Sequence, residues 1–103
     1  MNTIFDHAIL ELTLCESSLA HLIREAEDEE ENAFAVFDKA LVAVAFGGSP
    51  NAYEDAGIRK RNAALLLRDL KALARTVTQM RVQIEKSTAD RENNSASRLN
   101  QIR

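Results

Sequence analysis

Six carboxylates crowd the eight residues from Glu25 to Asn32. On a helix, carboxylates at i, i+3 and i+4 share one face, and such a face offers hard oxygen ligands to Mg²⁺ and to the phosphates it carries. The same run without a metal is a solvated acidic collar whose like charges repel. His7 and His21 are each followed four residues later by a glutamate, Glu11 and Glu25. Two heptads apart, they share a face but stand about 20 Å from one another along a helix, so one helix cannot bring both to one metal. The lone Cys15 excludes an internal disulfide framework, fits a reducing compartment and is expected to be buried and inert.

The acidic run has one family likeness. Glu27-Asp28-x-x-Glu31 resembles half of the metal motif of the MazG-like all-α nucleoside-triphosphate pyrophosphohydrolases, which have EExxE on one helix and ExxD on a later one. The resemblance covers the acidic run alone: Asn51-x-x-Glu54 and Ala52-x-x-Asp55 do not repeat the ExxD half. It implies Mg²⁺-dependent release of pyrophosphate as an alternative function. No nucleophile elbow, glycine-rich phosphate loop or paired-cysteine motif occurs. The chain is therefore read as a non-enzyme, with no catalytic or metal residue and no cofactor assigned.

Two further groups suit binding rather than catalysis. Arg59-Lys60-Arg61, Arg68, Lys71, Arg75 and Arg81 give the second half a basic side, which makes nucleic-acid contact an alternative. Against it stand the absence of interleaved stacking aromatics, the lack of helix-turn-helix spacing and a pI near 5.4. Phe34, Phe37, Phe46 and Tyr53 cluster in sequence around Gly47-Gly48-Ser49-Pro50, and with Arg59, Arg61 and Arg68 they are the expected partner-binding residues.

These side chains need helices to position them. Between Ile4 and Phe46 there is no Gly or Pro, and Phe5, Ile9, Leu12, Leu19, Ile23, Ala26, Phe34, Phe37, Leu41 and Val44 follow a 3.6-residue period. Ala8, Cys15, Leu22, Ala33, Val36 and Ala40 widen that stripe. The collar leaves two outcomes open, one helix of about 43 residues, roughly 65 Å long, or a break or kink near residues 26–32. Continuity is favoured because glutamate is a good helix former and the stripe keeps its phase. Gly47 or Gly48 can take the left-handed position that ends this helix, with Ser49 as N-cap and Pro50 opening the next. The second helix is read as Pro50–Lys86, weakened at Gly57 so that a short helical turn precedes a longer stretch from about Ile58.

That second helix carries Ala63, Leu66, Leu70, Leu73, Val77, Met80 and Ile84 at steps of three and four. The six from Leu66 onward are the expected oligomer seam. The fold expected is an all-α antiparallel hairpin of two long helices, dimerising into a four-helix bundle. Residues 1–86 form one domain in this reading, and the polar stretch 87–103 is a mobile tail.

Charge agrees with a hairpin. Residues 1–46 hold ten acidic side chains against Arg24 and Lys39, a net of −8, whereas the rest of the chain nets +5. Counting outward from Gly48 sets Arg68 and Lys71 beside the collar. The N-terminus lacks the basic region of a signal peptide and no apolar run approaches ~20 residues, so a cytoplasmic protein is expected. The function read from all this is a non-catalytic protein–protein interaction module, an adaptor, inhibitor or small regulator, recognising a protein partner by a helix face.

Overall fold

A computed structural model describes the backbone of residues 3–102 and the side chains of residues 4–91. It contains two helices, α1 (Thr3–Ala45) and α2 (Pro50–Ile102), packed as an antiparallel hairpin. α1 is unbroken through the acidic run. The turn is a Schellman motif: Gly47 takes φ of 90°, its N–H donates to the Val44 carbonyl at 3.1 Å, and the Gly48 N–H donates to the Ala43 carbonyl at 2.7 Å. Both glycines are needed. Gly47 is left-handed, and a Cβ on Gly48 would lie 2.7 Å from the Ala43 oxygen.

The chain forms two compact units, Leu19–Leu73 and the pairing of Met1–Ser18 with Ala74–Arg103. In Leu19–Leu73 the buried residues are Leu19, Ala26 and Ala33 on α1 and Ala56, Ala63 and Leu67 on α2. Four alanines among six core positions let the helices approach closely but fill little volume. Burying Leu19 and Leu67 contributes about 1.5–3 kcal/mol each. In the other unit Val77 is buried, with Phe5, Ile9 and Leu12 half-buried on α1 and Ala74 and Ile84 half-buried on α2.

The residues of the expected oligomer seam do not all lie on the inner side of the hairpin. In Leu19–Leu73, Leu70 is half-buried, but Leu66 and Leu73 are 51% and 49% exposed and Leu67 takes the inner position. In the terminal unit, Val77 and Ile84 face inward while Met80 is 48% exposed and Arg81 stands at the inner position. Two heptad registers overlap on α2, and the larger apolar residues belong to the outer one. On α1, Phe34 and Leu41 are likewise exposed, displaced by Ala33 and Ala40.

Gly57 does not interrupt α2. A Cβ there would sit at ordinary contact, 3.7 Å from Phe37, and its backbone is helical. α2 also continues past Lys86, because no Gly or Pro comes after it and Ser, Thr, Asp and Asn cost a helix only a few tenths of a kcal/mol each. Thr88 donates its hydroxyl to the Ile84 carbonyl at 2.9 Å, and the Arg91 guanidinium lies 4.6 Å from the Phe5 ring centre. Of the mobile tail expected over residues 87–103, the side chains after Arg91 lie outside the described residues.

Candidate protein-recognition groove

In Leu19–Leu73, four of the expected partner-binding residues come together. Phe34 and Phe37 occupy successive turns of α1, and Tyr53 of α2 meets Phe37 with ring centres 5.2 Å apart, tilted by 35°. Gly57 and Ala64 are small, which leaves a groove of about 630 Å³ along these rings, with Arg61 and Glu54 on its rim. Its floor is apolar and its edge charged, as is usual for recognition of a peptide or helix.

Lys60 was not anticipated. It occupies an inner heptad position, four residues after Ala56 and three before Ala63, and is half-buried. Its ammonium lies 4.5 Å from the centre of the Phe34 ring and 4.3 Å from that of Phe37, a double cation–π contact. No carboxylate among the described residues forms an ion pair with it. The signal for it was present: counting outward from Gly48 sets residue 60 near residue 36, between the two phenylalanines.

The other expected partner-binding residues lie elsewhere. Phe46 stands at the turn, 87% exposed. Arg59 donates two hydrogen bonds to the Glu29 carboxylate, at 2.8 and 3.2 Å, on a different side of α2 from the groove's Lys60 and Arg61. These bonds hold the Glu29 carboxyl below the usual carboxylate range and raise the Arg59 guanidinium further. Arg68 turns to its neighbour Asp69 at 3.3 Å rather than to the collar, so the collar's counter-charge is Arg59 and not Arg68.

The chemistry considered for the carboxylates, histidines and thiol finds these positions. Glu27, Asp28 and Glu31 are exposed, and among the described residues no group of three His, Cys, Asp or Glu side chains could hold a metal ion. His7 and His21 sit beside Glu11 and Glu25 at 3.7 and 3.1 Å as exposed pairs along one helix. Cys15 is exposed, contrary to the burial expected, because it lies one step outside the inner positions Leu12, Glu16 and Leu19. Three of the basic residues, Arg59, Arg68 and Arg81, already face carboxylates, which lessens the positive potential available to a phosphate backbone.

No described helix is long and apolar enough to cross a membrane. No family model, curated protein or solved structure matches the chain.

Proposed function

We propose that this chain is a non-catalytic protein–protein interaction module of the adaptor, inhibitor or small-regulator kind, cytoplasmic and working as a homodimeric four-helix bundle. The observation that carries the reading is the groove of Phe34, Phe37 and Tyr53 with Lys60 held over its aromatic floor. An apolar anchor of the partner fits the rings. A carboxylate beside that anchor gives Lys60 and Arg61 the counter-charge they lack among the described residues. Recognition by a helix or an extended segment needs no catalytic group.

The test is affinity capture from an extract of the source organism, with wild-type protein and a Phe34→Ser/Arg61→Glu variant as parallel baits. Both substituted side chains are exposed, so the variant keeps its helix content by circular dichroism. Proteins retained by wild type and lost by the variant support the reading. Identical retention by both baits, or none by either, overturns it.

A further inference from the structure

We infer that the groove takes the free C-terminal end of a partner chain: an apolar last side chain packs on Phe34, Phe37 and Tyr53, and its α-carboxylate pairs with Lys60 and Arg61. This rests on the interaction-module reading and adds to it the chemistry of the partner.

Arg59, Arg68 and Arg81 each reach a carboxylate, at Glu29, Asp69 and Glu16. Lys60 and Arg61 form no ion pair among the described residues. Their own helix offers no acid at the spacing that pairs: the positions three and four residues to either side of them are Ala56, Gly57, Ile58, Ala63, Ala64 and Leu65. Glu54, the acid that lines the groove, stands seven residues before Arg61, roughly 10 Å along α2. The groove is thus negative at the end beside the turn and positive at the other. That polarity draws an incoming carboxylate to Lys60 and Arg61 and keeps it from Glu54.

The position of the Lys60 ammonium favours a terminal carboxylate over an internal one. It lies 4.5 and 4.3 Å from the Phe34 and Phe37 ring centres, over the floor rather than out on the rim. An anion that reaches it must come down to the same rings on which the apolar anchor packs. A last residue carries its side chain and its carboxylate on one Cα, so both arrive together. In a segment that continues past the anchor, the adjacent side chain points away, and an acid three or four residues further along a helix needs a second turn seated in the groove. The α1 wall is too short for that turn, since Phe34 to Phe37 covers about 4.5 Å of helix. A helix laid in a groove spreads its anchors over about 10 Å of both walls. The volume, about 630 Å³, is that of a site for a drug-sized ligand rather than a whole helix.

Titration of the isotope-labelled full chain, followed by NMR at the ring signals of Phe34, Phe37 and Tyr53, tests the inference with three N-acetylated octapeptides. The first ends in phenylalanine with a free carboxylate, the second is the same peptide amidated, and the third is amidated and carries a glutamate four residues after an internal phenylalanine. The free acid is expected to shift all three ring signals, and amidation to weaken its binding about tenfold or more. Lys60→Met and Arg61→Gln keep helix propensity, and each is expected to bring the free acid toward the level of the amide. Should Lys60→Met lose helix content by circular dichroism, Arg61→Gln decides, because that side chain is exposed. Equal binding of acid and amide, preference for the internal glutamate, free-acid binding indifferent to Arg61→Gln, or no ring shift with the free acid at millimolar concentration overturns the inference. None of these overturns the groove itself, whose failure appears separately as identical capture by the two baits.

Discussion

Arg81 of α2 donates hydrogen bonds to both oxygens of the Glu16 carboxylate on α1, and the Thr78 hydroxyl donates another at 2.8 Å. Arg81 also reaches Glu85 at 2.9 Å, so its guanidinium joins both helices within the terminal unit. A shift of one heptad in pairing would leave both charges half-buried without these partners, which makes the cluster a register lock.

The same bonds hold the Glu16 carboxyl below the usual carboxylate range, first through Arg81 and then through Thr78. A carboxyl depressed in the folded state contributes stability that is present above its unfolded pKa and is lost as pH falls through the folded one. The melting temperature should therefore drop on acidification from the ordinary carboxylate range downward, with Glu29 adding to the same slope. Glu16→Gln should melt lower than wild type at neutral pH and show a flatter acid limb. Thermal unfolding followed by circular dichroism across that range checks both; an unchanged acid limb would remove the pair from the explanation.

The three glycines separate conformational need from tolerance. Gly47→Ala places a side chain on a left-handed backbone and should destabilise by about 1–2 kcal/mol. Gly48→Ala adds a Cβ 2.7 Å from the Ala43 oxygen and should be at least as costly. Gly57→Ala meets only Phe37 at 3.7 Å within a helix, so it should stabilise by about 0.5–1 kcal/mol. Urea denaturation of the three variants checks the order, and a destabilised Gly57→Ala would contradict the close but ordinary packing there.

The groove makes a more local prediction. Phe34 is exposed on one side and covered by the Lys60 ammonium on the other, so Phe34→Ala should cost little, within about 1 kcal/mol. Phe37 is half-buried and contacts both Tyr53 and Lys60, so Phe37→Ala should cost more, about 2–3 kcal/mol. Chemical denaturation that ranks them in reverse would misplace the groove floor.

Much of the hairpin was legible because its determinants are local. Gly47-Gly48-Ser49-Pro50 carries the turn in its residue types, and the helix across Glu25–Asn32 results from glutamate's propensity and the unbroken stripe. The inner register was harder to read. Leu66 and Leu67 are equal in hydrophobicity, and Leu73 and Met80 outrank Ala74 and Arg81, whereas packing selects by shape and by the reach of Arg81 to Glu16. Of the groove, Phe34, Phe37, Tyr53 and Arg61 were legible as a cluster near the turn. Lys60 was legible only through the count outward from Gly48, which sets it opposite residue 36 between the two phenylalanines; its residue type gives no sign of an inner position.

That register difference is itself measurable at adjacent residues. Leu67 is 8% exposed in the Leu19–Leu73 core, whereas Leu66 is 51% exposed in the outer register. Leu67→Ala removes packing within the hairpin, so its cost, about 2–4 kcal/mol, should be the same at every protein concentration. Leu66→Ala leaves the hairpin core intact and weakens the contact between copies in the proposed homodimer. Wild type should melt at higher temperature as concentration rises, because association binds the native state alone. The Leu66→Ala melt should approach wild type at high concentration and fall away on dilution, while the Leu67→Ala curve runs parallel to wild type. Melting curves across a dilution series decide it: if Leu66→Ala costs as much as Leu67→Ala at all concentrations, Leu66 belongs to the inner seam and Leu67 does not hold the inner register alone.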